Sequence, residues 1–180
     1  MKVFVGNGNY WFAWLRLITV QALVCALVMG VWQTSASAAE CPPRLQAHIL
    51  KKVLKMTERY RSAKEIIVTY RKDKQGAEDV SKHFTKIGFK VLVVADYGLL
   101  TVDSELIYVF ESSDQVAAHC EKKNTLCLGG SVDFVNDGQV EIAVGKRGKK
   151  PKIFVNLKRL RQKEIKVRQE LVRLSEVVDE

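Results

Sequence analysis

The chain has 180 residues, of which 47% are hydrophobic and 27% are charged, and its formal net charge at pH 7 is +9. This composition excludes an intrinsically disordered chain, because enough apolar side chains are present to bury a core. The length accommodates one domain of ordinary size and is short for two.

The first 39 residues have the features of an export signal. They contain the basic residues Lys2 and Arg16 but no acidic residue, and an apolar stretch runs from Leu17 to Trp32. Small residues follow this stretch. We therefore predict a removable signal peptide over this segment, with the cleavage site at Ala38 and Ala39, and a secreted mature protein.

Two alternatives to cleavage depend on the same residues. The apolar stretch approaches the length needed to cross a bilayer, so an uncleaved anchor is one alternative. A lipoprotein signal is the other, but Glu40 precedes Cys41 where a lipidation signal requires a small residue. After cleavage the domain comprises residues 40–180, and its net charge falls to +7 because Lys2 and Arg16 are removed.

Cleavage also removes Cys25 and leaves three cysteines, Cys41, Cys120 and Cys127. In an oxidising compartment an odd count suggests one intramolecular disulfide and one remaining thiol. Cys120 and Cys127 are expected at a helix end and in the strand that follows, which brings two Cα atoms within bridging distance. The alternative is that both are buried, unreactive thiols.

Apolar patterning predicts alternating helices and strands along the mature chain. Apolar residues at helical spacing predict helices over 44–61, 77–87 and 113–123, the last capped by Ser112. Short apolar runs predict strands over 65–70, 89–95, 106–110 and 125–128. This alternation is typical of parallel strands covered on both faces by helices.

The pattern changes towards the C-terminus. Val140, Ile142 and Val144 alternate with other residues, and residues 153–157 run back after a Gly- and Lys-rich turn, which predicts a β-hairpin. Helical material is expected over 158–178, interrupted near 165–167. The predicted fold is therefore an α/β, single-domain sandwich with a mostly parallel central sheet, a C-terminal β-hairpin and flanking helices.

The residues that catalysis requires do not form a recognisable motif. His48, His83 and His119 are isolated from one another and are expected to be surface or capping residues. The serines lack a Gly-x-Ser-x-Gly elbow, and residues 145–150 lack the spacing of a phosphate loop. We expect no enzymatic activity, no bound metal and no cofactor.

Two regions remain as candidate binding sites. The predicted hairpin turn carries the basic residues Lys146, Arg147, Lys149, Lys150 and Lys152. It is either a solvated turn or a patch facing an acidic partner or an anionic membrane surface. Because the protein is expected to be exported, we do not expect it to bind nucleic acid.

The other region is the crevice that an α/β sheet forms at the carboxyl ends of its strands. It is expected near Ala95–Val102, Glu111–Ser113 and Gly129–Ser131. Gly129 and Gly130 serve there either as a point of close approach for a ligand or backbone, or as a tight turn.

The stretch from Leu106 to Val178 resembles the YfiR-like family of bacterial periplasmic proteins. The resemblance rests on Tyr108-Val109-Phe110, Gly129-Gly130, Asp133-Phe134-Val135, Ile153-Phe154-Val155-Asn156-Leu157 and Glu170-Leu171-Val172-Arg173-Leu174, in that order along the chain.

Members of that family are non-enzymatic α/β domains, often dimeric, and the best-known ones hold an inner-membrane diguanylate cyclase inactive by binding its periplasmic part. The resemblance implies periplasmic localisation, a homodimer, cyclic-di-GMP signalling and a disulfide between Cys120 and Cys127. The first helix departs from many relatives, since it ends Glu58-Arg59-Tyr60-Arg61 rather than in an aromatic Trp-Pro segment. The resemblance therefore does not identify the partner.

The leading hypothesis is a periplasmic regulatory binding protein that represses or modulates an inner-membrane signalling protein, a diguanylate cyclase or sensor kinase, by docking on its periplasmic domain. The predicted contact residues are Lys146, Arg147, Lys149, Lys150, Arg168 and Arg173. The second hypothesis is a periplasmic carrier or sensor of a small ligand that uses the strand-end crevice.

Overall fold

The computed structural model of the chain describes residues 41–96, 98 and 104–178. The predicted signal peptide, with Ala38, Ala39 and Cys25, lies outside these residues, as does most of the Ala95–Val102 segment. Among the helices that are described, none has the length and apolar character needed to span a bilayer.

Helices and strands alternate along most of the described chain. The helices are α1 Pro43–Lys55, α2 Lys74–Lys86, α3 Asp114–Cys120, α4 Asp133–Asn136, α5 Leu157–Gln162 and α6 Gln169–Leu174. The strands are β1 Glu65–Tyr70, β2 Lys90–Ala95, β3 Leu106–Val109, β4 Leu126–Gly129, β5 Ile142–Arg147, β6 Lys150–Val155 and β7 Ser175–Val177.

The strands form one sheet in the order β2-β1-β3-β4-β5-β6-β7. Strands β1 to β5 are parallel, β6 turns back antiparallel to β5, and β7 pairs parallel to β6. Strand β2 lies on one side of β1 and β3 lies on the other side. The direction in which strands are added to the sheet therefore reverses between β1 and β3. This reversal opens a crevice at the carboxyl ends of the two strands.

Both faces of the sheet are covered, which confirms the predicted α/β sandwich. Alternate residues of each central strand enter opposite cores: Leu106 and Tyr108 pack with α1 and α2, whereas Ile107 and Val109 pack with α3 and α4. Because the strands are buried on both sides, their sequences are continuous apolar runs rather than alternating apolar and polar residues.

Helix α1 is shorter than the predicted helix over 44–61, because tertiary contacts outweigh the helical pattern after Lys55. Thr57 is buried and forms a β-bridge with Val167, while its hydroxyl donates to the carbonyl of Leu54 at 2.7 Å. Tyr60 is also buried and donates to the carbonyl of Asn124 at 2.9 Å. The segment after α1 therefore lies against the edge of the fold that contains the start of β4.

Two further predictions are wrong in detail at helix starts. The cap of α3 is Ser113, whose hydroxyl accepts from the N–H of Val116, and not Ser112. Asn156 was expected to continue the return strand of the hairpin, but its side chain accepts from the N–H of Arg159 and begins α5. In both cases a short polar side chain satisfies a free backbone donor of the first helical turn.

The C-terminal segment differs most from expectation. The predicted helical material over 158–178 is divided into α5 and α6, and the expected interruption near 165–167 is present. Residues 175–177 form the edge strand β7 instead of helix. The predicted β-hairpin is present as β5 and β6, and strand β5 is buried on both faces from Ile142 to Gly145.

The thiol of Cys41 is buried at the start of the described chain, with 1% of the residue exposed. Burial raises the pKa of this thiol, and the nearby Lys146 ammonium lowers it to a smaller extent. A buried thiol with a raised pKa forms little of the reactive thiolate.

We expect iodoacetamide at pH 8 to leave Cys41 unmodified in the native protein and to modify it fully in denaturant. Peptide mapping by mass spectrometry measures the modified fraction. Rapid, stoichiometric modification of Cys41 in the native protein would contradict its burial.

Candidate functional site

The β5–β6 hairpin presents most of the predicted contact residues. Its tip turns at Gly148, whose φ of +62° is the left-handed conformation that a two-residue hairpin turn requires at its first position. Arg147 is paired with Glu176 of β7. The ammonium groups of Lys149, Lys150 and Lys152 have no ion-pair partner among the residues that the structure describes, and all three lysines are exposed.

The two other predicted contact residues lie at opposite ends of α6. Arg168 is the N-cap of the helix, and its N–H donates to the carbonyl of Met56 at 2.9 Å. Arg173 is in the last turn and is followed by Leu174, which is 54% exposed. The chain then enters β7 opposite Ile153, so Arg173 and Leu174 lie on the hairpin side of α6, whereas Arg168 lies beside α1.

We use the name hairpin surface for the basic hairpin residues together with the exposed apolar edge beside them. Its members are Lys146, Arg147, Lys149, Lys150, Lys152, Arg173, Leu174 and Val177. A mixture of unpaired positive charge and exposed apolar side chains at a sheet edge is suited to an acidic protein surface with an apolar centre.

Gly129 and Gly130 are explained by internal packing. A Cβ atom on Gly130 would lie 2.5 Å from the hydroxyl oxygen of Tyr108 and 3.0 Å from Oε1 of Gln46. The Gln46 amide donates to the carbonyl of Gly130 at 3.0 Å, and the Tyr108 hydroxyl donates to Gln46 Oε1 at 2.6 Å. The close approach expected here is therefore made by side chains of α1 and β3, so this part of the strand-end region is filled.

A crevice does lie further along the same edge of the sheet, at the reversal between β1 and β3. It has a volume of about 480 Å³ and a polar lining of Arg71, Asp96, Ser112, Ser113, Asp114, Gln115 and Gln139. The oxygen Oε1 of Gln139 is buried and accepts no hydrogen bond from any described residue. An unsatisfied buried acceptor is costly, so a ligand that displaced the neighbouring side chains and donated to this oxygen would gain a hydrogen bond.

The wall of this crevice is held by the Glu111 carboxylate, which follows β3. Its Oε2 accepts from three consecutive backbone N–H groups, those of Arg71, Lys72 and Asp73, at 2.8, 2.7 and 2.9 Å. Burial alone would raise the pKa of Glu111, but the three donors outweigh this effect and the pKa is lowered. The carboxylate thus fixes the loop between β1 and α2 by contacts that were not predicted from the sequence.

We expect Glu111→Gln to destabilise the domain by about 1.5–3 kcal/mol at pH 7, the usual contribution of hydrogen bonds to a charged group. Because the folded-state pKa is lowered, the contribution of Glu111 is present above its unfolded pKa of about 4.3 and is lost as the pH falls through the folded pKa. Urea unfolding at pH 7, 5 and 3.5 measures the difference between variant and wild type, and a difference that does not shrink towards acid would contradict this role.

The predicted cysteine pair is present, since Cys120 and Cys127 lie at disulfide distance with their Cα atoms 5.9 Å apart. Cys120 is the last residue of α3 and Cys127 is in β4, as the order of the elements suggested. Both side chains pack in the core covered by α3 and α4.

A buried network of charged side chains surrounds this pair and was not predicted from the sequence. The fully buried Glu141 accepts from the N–H of Cys127 at 2.8 Å through Oε2, while Oε1 lies 2.8 Å from Lys163 Nζ and 3.0 Å from Arg159 Nε. Lys163 also donates to the carbonyls of Cys120 and, at 2.8 Å, Thr125.

The charges of this network oppose one another's desolvation. Burial lowers the pKa of Lys163, and the attraction of Glu141 opposes that shift. Burial also acts to lower the pKa of Arg159, but Glu121 and Glu141 together raise it. The one signal in the sequence is the position of Glu141 between Val140 and Ile142, in a run that is otherwise apolar.

We expect Glu141→Gln to destabilise the domain by about 3–5 kcal/mol, because it leaves Lys163 buried without its carboxylate partner. The matched control is Glu105→Gln, which removes the exposed carboxylate paired with Arg59, at 62% and 40% side-chain exposure. That change should cost about 0–1 kcal/mol. Urea unfolding of both variants under oxidising conditions measures the two effects, and equal losses would contradict the importance of burial.

Two of the three histidines, His48 and His83, line one cavity between α1 and α2 and are therefore not isolated from each other as the sequence predicted, whereas His119 does not line it. His48 is exposed and His83 half-buried, as expected, but His119 is buried, with its Nδ1 3.4 Å from Lys122 Nζ, and is therefore not a surface residue. Within the described residues no group of three or more His, Cys, Asp or Glu side chains has the arrangement of a metal site.

Comparison with known proteins identifies the fold but no family. No family model and no curated protein matches the chain. The fold is similar to an ABC domain from Streptococcus pneumoniae solved in complex with L-Trp, with a TM-score of 0.57, 14% identity, and coverage of 76% of this chain and 62% of that one.

The fold is also similar to a conserved domain protein from Vibrio cholerae, with a TM-score of 0.56, 14% identity, and coverage of 77% of this chain and 60% of that one. The chain therefore spans less than two thirds of the length of either structure. At this level of identity the similarity concerns the fold alone.

Proposed function

We propose that the chain is an exported regulatory binding protein that represses or modulates an inner-membrane signalling protein, a diguanylate cyclase or sensor kinase, by docking on its periplasmic domain. The observation that carries this proposal is the hairpin surface, with three exposed lysines that lack ion-pair partners within the described chain. The resemblance of residues 106–178 to YfiR-like proteins supports the same role.

The base of the hairpin is buried and closed by a backbone hydrogen bond, which favours specific docking over a loose electrostatic contact. Strand β5 is buried from Ile142 to Gly145, and the N–H of Asn156 donates to the carbonyl of Glu141 at 2.9 Å, so the two ends of the hairpin are joined. A preformed surface loses little conformational entropy when it binds.

The charge of the surface indicates the chemistry of its partner. The positive groups of the hairpin tip, with exposed Leu174 and Val177 along the neighbouring edge, are complementary to an acidic surface that also has apolar side chains. In this proposal the partner is a membrane-anchored protein whose periplasmic domain presents such a surface.

The test compares Lys149→Glu/Lys150→Glu with the control Lys64→Glu/Lys166→Glu, which makes the same change of charge at exposed positions elsewhere. Each tagged protein is expressed at native level, cross-linked in intact cells and purified from detergent-solubilised membranes. The hairpin variant should retain at least about tenfold less of the membrane partner, a loss of roughly 1.4 kcal/mol, and the control should retain it as the wild type does.

Two results would contradict the proposal. One is that the wild type retains no membrane signalling protein. The other is that the hairpin variant and the control retain the partner equally, which would place docking on another surface.

A second function is favoured by one specific observation, the unsatisfied Gln139 oxygen in the strand-end crevice. In that case the domain is a periplasmic small-ligand carrier or sensor. The crevice lies where α/β sheets bind ligands, and its lining offers both positive and negative groups.

A thermal-shift screen of amino acids and related metabolites tests this second function, with L-Trp as the first probe because the Streptococcus domain was solved with it. A ligand of the crevice should raise the melting temperature of the wild type and should have less effect on Gln139→Ala. No shift with any compound, in a protein that retains a membrane partner, would favour the docking function.

A further inference from the structure

A second cavity, separate from the crevice and from the hairpin surface, lies between α1 and α2. Its volume is about 470 Å³, and it is lined by Arg44, His48, His83, Lys86 and Ile87. Arg44 and His48 are four residues apart on α1, and His83 and Lys86 are three apart on α2. Each pair therefore lies on one face of its helix.

The lining carries only basic and apolar residues. The side chains of Arg44, His48 and Lys86 have no hydrogen bond or ion pair with any described residue. Lys51 adds a further positive charge, since its ammonium donates to the carbonyl of Ile87 beside the cavity. The like charges of α1 and α2 thus face one another without a counter-ion among the described residues.

The acidic groups of the two helices do not neutralise this cluster. Helix α1 contains no Asp or Glu between Pro43 and Lys55. On α2, Asp79 interacts with His83, but its carboxylate is 2.6 Å from Lys82 Nζ and is already paired. Glu78 likewise pairs with Lys74, at 3.4 Å.

The beginning of α1 adds to the positive potential. No side chain caps this helix, and its first turn contains no acidic residue. The positive end of the helix dipole therefore lies close to Arg44 without the negative group that usually stabilises it.

A metal cation would not be stable in this cavity. The two histidines are the residues that could ligate a metal, but Arg44 and Lys86 lie beside them, and no carboxylate of the described part of the chain lines the cavity. An anion, in contrast, would interact favourably with every polar group of the lining. Arg44 can form two parallel hydrogen bonds with a carboxylate or phosphate group, and Lys86 and the imidazoles can donate to further oxygens.

We propose that the cavity between α1 and α2 binds a small, multiply charged anion that carries phosphate or carboxylate groups. The volume exceeds that of a single phosphate ion and is in the range of small-molecule sites. This site is independent of the proposed docking function and would give the domain a means to respond to a soluble metabolite.

Isothermal titration with pyrophosphate and with citrate tests the proposal on the whole mature chain. Arg44→Gln/Lys86→Gln removes two charges from the lining, and Lys64→Gln/Lys166→Gln removes two exposed charges elsewhere. The cavity variant should bind the preferred probe at least about tenfold more weakly, whereas the control should bind it as the wild type does. All four residues are exposed, so circular dichroism should show unchanged folds.

Nuclear magnetic resonance of the imidazole nitrogens gives a second measurement that a purely structural role would not affect. Pyrophosphate or citrate should shift the resonances of His48 and His83 and leave those of buried His119 unchanged. Binding of pyrophosphate alone indicates a phosphate-bearing ligand, and binding of citrate alone indicates a polycarboxylate.

Three results would overturn the proposal. The first is that neither probe binds the wild type. The second is that binding is weakened equally in the cavity variant and in the control. The third is that the protein binds only phosphatidylglycerol vesicles and that neither probe displaces them. The last result would assign the basic groups to contact with a membrane surface.

Discussion

One buried carboxylate, that of Glu141, connects the elements on which the C-terminal half of the domain depends. It contacts the backbone of Cys127, the ammonium of Lys163 and the guanidinium of Arg159, and it is fully removed from water. A buried charge is tolerated only when it is fully paired and hydrogen-bonded, so these contacts are mutually required. Through them α3, β4 and α5 are held in one arrangement around the cysteine pair.

The same residue sets the position of the hairpin surface. Glu141 immediately precedes β5, and Asn156 immediately follows β6. The backbone carbonyl of Glu141 accepts from the N–H of Asn156 and so joins the two ends of the hairpin. The basic tip extends from this fixed base. The strand-end crevice has its own carboxylate, Glu111, which orders the loop after β1. Glu141 and Glu111 thus order the surroundings of the hairpin surface and of the strand-end crevice, while positive side chains remain available to partners.

Much of the architecture could be predicted from apolar patterning, because strands buried on both faces and amphipathic helices leave distinct signals. The α/β class, the hairpin and the position of the cysteine pair followed from these signals. The predictions that were wrong concern features that depend on contacts between residues far apart in the sequence. Thr57 pairs with Val167 just after α1 ends, and residues 175–177 join the sheet as an edge strand. The side chains of Gln46 and Tyr108 fill the space beside Gly130. A charged residue such as Lys163 is expected to be exposed, because the sequence does not show that the buried carboxylate of Glu141 lies beside it.

The most direct test of this account is native-state hydrogen exchange of the wild type and of Glu141→Gln under conditions in which both remain folded. Peptides that cover residues 120–128 and 156–163 should exchange faster in the variant, since the Cys127 amide and α5 lose their common acceptor. Peptides from α2 should exchange at the same rate in both proteins. Uniform acceleration throughout the domain, or no change near Cys127 and α5, would contradict the central role assigned to this carboxylate.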